Sequence, residues 1–596
     1  MFAWVRRKLE RRSDSLSRQA RGIAARDSFS ALQVPSAVAI AAVESFPEKT
    51  ALTSISSAEE YCEQAEALRI EGRLLDAKTV IESALRDFPA DPGLNYRLGL
   101  LWLAIGDAEQ AIDLFNLALH YKSDLFTACS AKIKALESLG RGSESFALIS
   151  DFLKQCPGHI EASIALADTY YRLGDHQSVL RTLDPLVHGA TTVDRGVANL
   201  LGLVLGRELG EFERADALLR HALEADPDWL PALTNLGWNL LEQGRHEEGF
   251  DLIDRALAIA PEDAEARLVR ACMKLKQGDF STGWRDYGIR HSSRFAIARP
   301  YRFPIWRGES LEGKAILIYG EQGVGDQIMF ASCFREVIAQ AGRTIIECNP
   351  KLVSLFQRSF PTARVQENVP SGVEALWLQT AGLIDYQVAM GDLPGFFRNN
   401  WSEFPEHDGY LVADPNCVRD WTLKLAALGS EFKLGLSWRG GSIATRRHLR
   451  SIPLDQLIPV LRMPINAISL QYDSVESDLN LLRNIPGIGL THWPEAIDDY
   501  EQTAALICAL DGVLSVCTAA VHLAGALGRK VWVLAPVVTE WRYLEKGTKL
   551  PWYPSAKIIR QEKIGSWDSA IKSAVAALDM EIKEKYAASN PVDNPG

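Results

Sequence analysis

Asp326 closes a glycine-rich turn in the stretch KAILIYGEQGVGDQIMF, from Lys314 to Phe330. Ala315 to Tyr319 is an apolar run of strand length, Gly320, Gly323 and Gly325 follow, and from Asp326 the apolar spacing (Ile328, Met329, Cys333, Val337) turns helical. Strand, glycine turn and helix is how an open α/β sheet builds a ligand site at the carboxyl end of a strand. The glycines let the backbone approach a ligand, and a helix start offers unpaired N–H groups to an anion. A carboxylate here is either a helix N-cap or a proton acceptor. A second unit of the same kind runs through VLSVCTAAVHLAGALGRKVWVL, with a strand ending at Cys517, a helix opening near Thr518 and Ala519, and His522 in its first turn. Imidazole beside free helix N–H groups suits a phosphate leaving group; a histidine packed between helix and sheet is the alternative.

These two turns need a scaffold, and the chain supplies three kinds of sequence. At 596 residues it exceeds a single core, and 47% hydrophobic with 23% charged residues is ordinary for globular domains. A net charge of -12 argues against nucleic acid as the main partner. Nine cysteines without a CxxC pair fit a reducing, cytoplasmic setting and neither a disulfide framework nor a zinc site. No apolar run reaches the ~18 residues needed for a transmembrane helix. Residues 1–57 form a basic leader, expected to be partly disordered. From Ala58, Gly72, Gly106, Gly140 and Gly174 recur every 34 residues, and Gly210, Gly244 and Gly278 continue the series after one interval of 36. Small residues follow at Ala77, Ala111, Ala215, Gly249 and Gly283. This is the tetratricopeptide pattern of paired helices, here six repeats and a degenerate seventh over 58–294, which stack into a right-handed superhelix that holds polypeptide. A proline- and aromatic-rich connector, RPYRFPIWRGESL, then leads into alternating strand and helix: one parallel-sheet lobe over 295–415 and another over 416–582, with a cleft between them. A terminal helix spans Ser566 to Ile582, and 583–596 is expected to be a disordered tail.

Three spellings are set aside. GESLEGK (308–314) has P-loop spacing but precedes a strand and ends in Ala315 where Ser or Thr belongs. Asp226-Pro227-Asp228 lies in a repeat turn, and Asn400-Trp401-Ser402 is a glycosylation sequon by spelling only.

With GDFSTGW and Tyr287, EQGVGDQIMFA, LGLSWRGG, SLQYD, QTAALICALDGVLSVCTAAVHLAGALG, WRYL and PWYPSAKIIRQ in order, the chain resembles bacterial proteins that join tetratricopeptide repeats to a GT-B glycosyltransferase module. That family is related to heptosyltransferases and more distantly to O-GlcNAc transferase. The resemblance covers Ala58 to about Ile582. It implies an inverting, metal-independent protein O-glycosyltransferase without a cofactor, using a nucleotide-sugar donor. Asp326 matches the acidic residue taken as general base, and Gly323, Gly325 and Gln327 surround it. Thr518, Ala519 and His522 match the motif that holds the nucleotide phosphate, with Arg439, Gly440, Gln471 and Arg560 as further donor-binding residues and Arg446 and Arg447 as further guanidinium groups. Cys517 stands where the family has Asp. The arrangement is most similar to α-proteobacterial flagellin glycosyltransferases, which use a CMP-activated nonulosonic acid. The implied partner is therefore flagellin, held by the repeats. The alternatives are a UDP- or ADP-sugar transferred to another surface protein, and a non-catalytic repeat scaffold.

Overall fold

In the computed structural model, residues 57–188, 192–292, 301–369, 375–441 and 446–589 are described. The basic leader and the tail beyond Ser589 lie outside them. The first half is helical. Helix pairs are α1 (Ala58–Ile70) with α2 (Leu74–Asp87), α3 (Pro92–Ile105) with α4 (Ala108–Tyr121), α5 (Phe126–Ser138) with α6 (Gly142–Gln155), and α7 (Ile160–Leu173) with α8 (His176–Leu183). Then come α9 (Arg195–Leu203), extended by a π-helical turn, with α10 (Phe212–Ala225), α11 (Leu230–Glu242) with α12 (His246–Ile259), and α13 (Ala264–Gln277) with α14 (Phe280–Tyr287).

The 34-residue glycines are the turn residues. Gly72, Gly106, Gly140, Gly174, Gly210, Gly244 and Gly278 all have positive φ, the left-handed conformation that closes a helix at little cost only for glycine. The small residues are where the paired helices touch. A Cβ on Gly99 would lie 2.5 Å from the Phe115 ring, and one on Gly283 2.5 Å from the Leu275 side chain. Ala77, Ala111 and Ala215 are fully buried at the equivalent contacts.

The chain divides into two compact units between Leu201 and Gly202, inside the repeats. The reason is visible in the core of the second unit. Leu268, Phe280, Trp284 and Tyr287 belong to one continuous hydrophobic cluster with Ile316, Phe330, Trp541 and Trp552 of the α/β region. The Trp284 indole donates to the Arg398 carbonyl (2.8 Å), and the buried Arg290 guanidinium reaches Glu321 (2.9 Å) and Asp392.

The α/β region holds two mainly parallel sheets. The first is ordered β3-β2-β1-β4, from β1 (Ala315–Tyr319), β2 (Arg343–Cys348), β3 (Arg364–Glu367) and β4 (Tyr386–Ala389). The second is ordered β6-β5-β7-β8-β10-β9, from β5 (Phe432–Ser437), β6 (Ile465–Ser469), β7 (Gly512–Val516), β8 (Val531–Ala535), β9 (Lys549–Leu550) and β10 (Tyr553–Arg560). The central strands β1, β5, β7 and β8 are buried almost throughout, as strands covered on both faces must be. Helices α15 (Val324–Phe330) and α16 (Phe334–Gln340) follow β1, α17 (Val353–Ser359) follows β2, and α18 (Pro415–Ala426) begins where the second lobe was expected to start. Asp414 caps α18, which packs on α19 (Tyr500–Ala509). Helix α20 (Ala519–Ala526) follows β7. The terminal helix α21 (Asp568–Ser589) runs past Ile582 into the segment expected to be disordered; Ala570, Ile571, Ala574 and Leu578 bury its apolar face against the second sheet.

Candidate functional site

The two strand–turn–helix units meet directly. A Cβ on Gly325, in the first turn of α15, would lie 3.0 Å from His522 Cδ2 and 3.4 Å from Ala519 Cα, so only glycine fits this contact without displacement. Gln327 builds the turn from inside: its amide donates to the Gln322 carbonyl (2.8 Å) and accepts from the Asn349 N–H (2.8 Å), beneath Gly320.

Asp326 is not the N-cap. Gly323 holds that position, without a side-chain cap, and Asp326 is the third helical residue. Its Oδ1 accepts from Arg542 Nε at 2.5 Å. Arg542 also donates to Glu540 (2.9 Å), and Glu540 accepts from Arg450 (3.2 Å), which in turn donates to the Cys517 carbonyl (3.3 Å). A buried line of alternating charge thus runs from the first sheet's turn to the end of β7. Burial alone would drive the Glu540 carboxyl up, yet Arg450 and Arg542 outweigh it and bring it down to about 2. Burial likewise works against the Arg542 cation, and Asp326 and Glu540 more than restore it.

His522 is buried. Its Nδ1 lies 3.1 Å from the Tyr553 hydroxyl and its Nε2 3.2 Å from the Tyr543 hydroxyl, so a neutral ring donates to one tyrosine and accepts from the other. Desolvation pulls its pKa down to about 4, against the opposing pull of Asp326. Thr518 caps α20 through its hydroxyl, which accepts from the Ala520 N–H and pairs with Ser515. The Cys517 thiol is buried under the β8 carbonyl of Leu534 and pushed up to about 12 by burial.

The remaining expected residues lie at other places in the second sheet. Gln471 ties the end of β5 by accepting from the N–H groups of Trp438 and Arg439, and its amide donates to the Arg439 carbonyl. Arg439 is held by Asp473 and Asp478, and Arg447 by Asp473. Gly440 sits against Arg450, whose side chain is 3.2 Å from where a Cβ would be. Arg446 has a left-handed backbone (φ 54°) and lies over Trp238. Arg560 donates to the carbonyls of Tyr543, Leu544, Lys546 and Gly547, clamping the loop between β8 and β9. Sequence reasoning gave no role to Arg542, Glu540, Arg450, Tyr543 or Tyr553. The signal was present for three of them, since Arg542 and Tyr543 sit inside the WRYL motif and Tyr553 inside PWYPSAKIIRQ.

Free space is unevenly placed. Between Arg450, Cys517, Pro536, Val538 and Glu540 it is about 10 Å³. A cavity of about 640 Å³ opens instead where His246, Lys276 and Trp401 face the loop 544–549.

The tetratricopeptide-repeat family profile matches residues 62–124 and 207–264. The chain is similar to Protein FlbA of Caulobacter vibrioides. Identity is 28% over 509 residues, covering 81% of this chain and 84% of FlbA. Among solved structures, a tetratricopeptide repeat protein from Parabacteroides merdae aligns over 39% of this chain and 92% of its own (18% identity, TM-score 0.32). YrrB, described as a TPR protein with an unusual peptide-binding site, aligns over 31% and 95% (19% identity, TM-score 0.25). Among the described residues no helix is long and apolar enough to cross a membrane.

Proposed function

We propose that this protein is a cytoplasmic, metal-independent, inverting glycosyltransferase whose two parallel sheets form a GT-B module and whose repeats recruit a protein acceptor. The donor is a nucleotide-activated sugar, by resemblance a CMP-nonulosonic acid, and the acceptor groups are Ser or Thr hydroxyls of flagellin. One observation carries the reading: Gly325 abuts Ala519 and His522, so Asp326 and the start of α20 share one site. In the reaction, the acceptor oxygen attacks the anomeric carbon and its proton passes to Asp326. The bond from that carbon to the donor phosphate breaks, and the electron pair leaves on the phosphate oxygen. Arg542 and Arg450, beside the helix start capped by Thr518, carry the charge that meets it. His522 serves from behind, as the neutral ring that fixes Tyr543 and Tyr553 around that helix.

The extended similarity to FlbA makes a flagellum-related role the first to test. Purified full-length protein, flagellin and a panel of CMP-, UDP- and ADP-sugars are incubated, and the intact flagellin mass is measured. Transfer of one sugar by wild type, with a loss of about 10²-fold or more in Asp326→Asn, supports the assignment. The second reading is a repeat scaffold with an inactive module. It is favoured by the small space beside Cys517 and by the two ring contacts of His522. Absence of both transfer and donor hydrolysis across the panel would establish it.

A further inference from the structure

Arg542 belongs to the second sheet's loop, yet its shortest contact is Asp326 of the first sheet's turn. Both side chains are largely buried, Arg542 at 6% and Asp326 at 16% exposure. The guanidinium occupies Oδ1 of Asp326 and holds the carboxylate in one orientation. In the line Asp326, Arg542, Glu540, Arg450 the two acidic and two basic groups balance, so an added phosphate brings charge that one of the cations must meet. Glu540 is shared by both cations: Arg450 divides its donors between Glu540 and the Cys517 carbonyl, and Arg542 between Glu540 and Asp326, so of the two only Arg542 touches the candidate base.

We propose that Arg542 is the positioning residue for Asp326: it holds the carboxylate while the site is empty and passes to the leaving phosphate when the nucleotide sugar binds. This rests on the glycosyltransferase reading. Donor binding then releases Asp326 to act as base, so the base is freed only when there is a sugar to transfer. The consequence is reciprocal, because Asp326 and the nucleotide compete for one guanidinium.

CMP, with UDP as a second probe, is titrated calorimetrically into the full-length chain as wild type, Asp326→Asn, Arg542→Gln, Arg542→Lys and the double variant Asp326→Asn/Arg542→Gln. Removing the competing carboxylate should tighten binding about tenfold, within the range usual for coupled sites. Arg542→Gln should weaken it, and Arg542→Lys should recover part of the loss. In the Arg542→Gln background Asp326→Asn should change nothing further. A merely structural bridge would not give this non-additivity, and general repulsion between Asp326 and the anion would survive in the double variant. If Asp326→Asn binds CMP and UDP as wild type does, or its effect persists without Arg542, the exchange is refuted while the nucleotide site stands. If wild type binds neither probe, nor ADP as a third, the sugar-nucleotide reading fails and takes the exchange with it. Should Arg542→Gln fail to fold, Asp326→Asn alone and in the Arg542→Lys background decides the matter.

Discussion

His522 gives the sharpest quantitative test, because its ring is buried between two tyrosine hydroxyls and held at a pKa of about 4. In the unfolded chain an imidazole titrates near 6.5. Between those values the unfolded chain takes up a proton that the folded site refuses, so stability rises with pH across the window. The contribution is fully present above about pH 6.5 and is lost progressively as pH falls towards 4. At about 1.4 kcal/mol per pH unit the ceiling is about 3 kcal/mol. The perturbation is His522→Gln, whose amide can accept from one tyrosine and donate to the other but does not titrate. At pH 7.5 this variant should lie within about 1 kcal/mol of wild type, the usual net worth of one hydrogen bond. Urea unfolding, followed by tryptophan fluorescence at steps from pH 7.5 to 4, compares the two. Trp541 and Trp552, which lie in the core with the residues around this site, contribute to that signal. Wild type should lose about 3 kcal/mol relative to the variant, a relative midpoint change of about 1 M urea or more. Glu540 responds lower on the scale and is common to both proteins, so it cancels in the comparison. Parallel curves, or a ring that titrates near 6.5 by NMR, would refute the enclosed neutral histidine.

Gly525→Ala should destabilise the module by at least about 1–3 kcal/mol, read by thermal melting, because its Cβ would lie 2.3 Å from the Tyr553 ring. Arg560→Ala should leave the melting temperature of the core little changed but raise protease cleavage within 543–547, since it removes four donor contacts to that loop's carbonyls. Trp284→Ala should cost about 3–5 kcal/mol in the α/β region although the residue belongs to the repeats, because its ring packs edge-on to Trp541 (5.3 Å) and Trp552 (6.2 Å). A fragment starting at Arg299 should express insolubly and one starting at Gly202 should fold; a stable, monomeric 299–596 fragment would show that the repeat contacts are dispensable.

The repeats were legible because each rule acts locally. A glycine needed at positive φ and a small residue needed at a helix contact leave their mark every 34 residues, and Gly106 and Gly99 can be recognised without knowing the rest of the fold. The strands β1 and β8 were legible for a related reason: strands covered on both faces read as unbroken apolar runs. Strand β10 escaped, since Tyr553–Arg560 mixes buried and exposed positions and opens with Tyr-Pro-Ser. The same contrast governs the candidate site. Asp326 stood out through its glycines, which are neighbours in sequence. Its partner Arg542 is 216 residues away, and nothing within WRYL indicates that the guanidinium crosses to the other sheet. Arg439 and Arg560 also stand beside motifs, and the structure supplies their partners. Asp473 and Asp478 hold the first, and loop carbonyls hold the second. The extent of the second unit's core was not legible for the same physical reason. Trp284 and Tyr287 carry the period of a repeat helix, but their burial is completed by Trp541 and Phe330, and periodicity records which face is covered without recording what covers it.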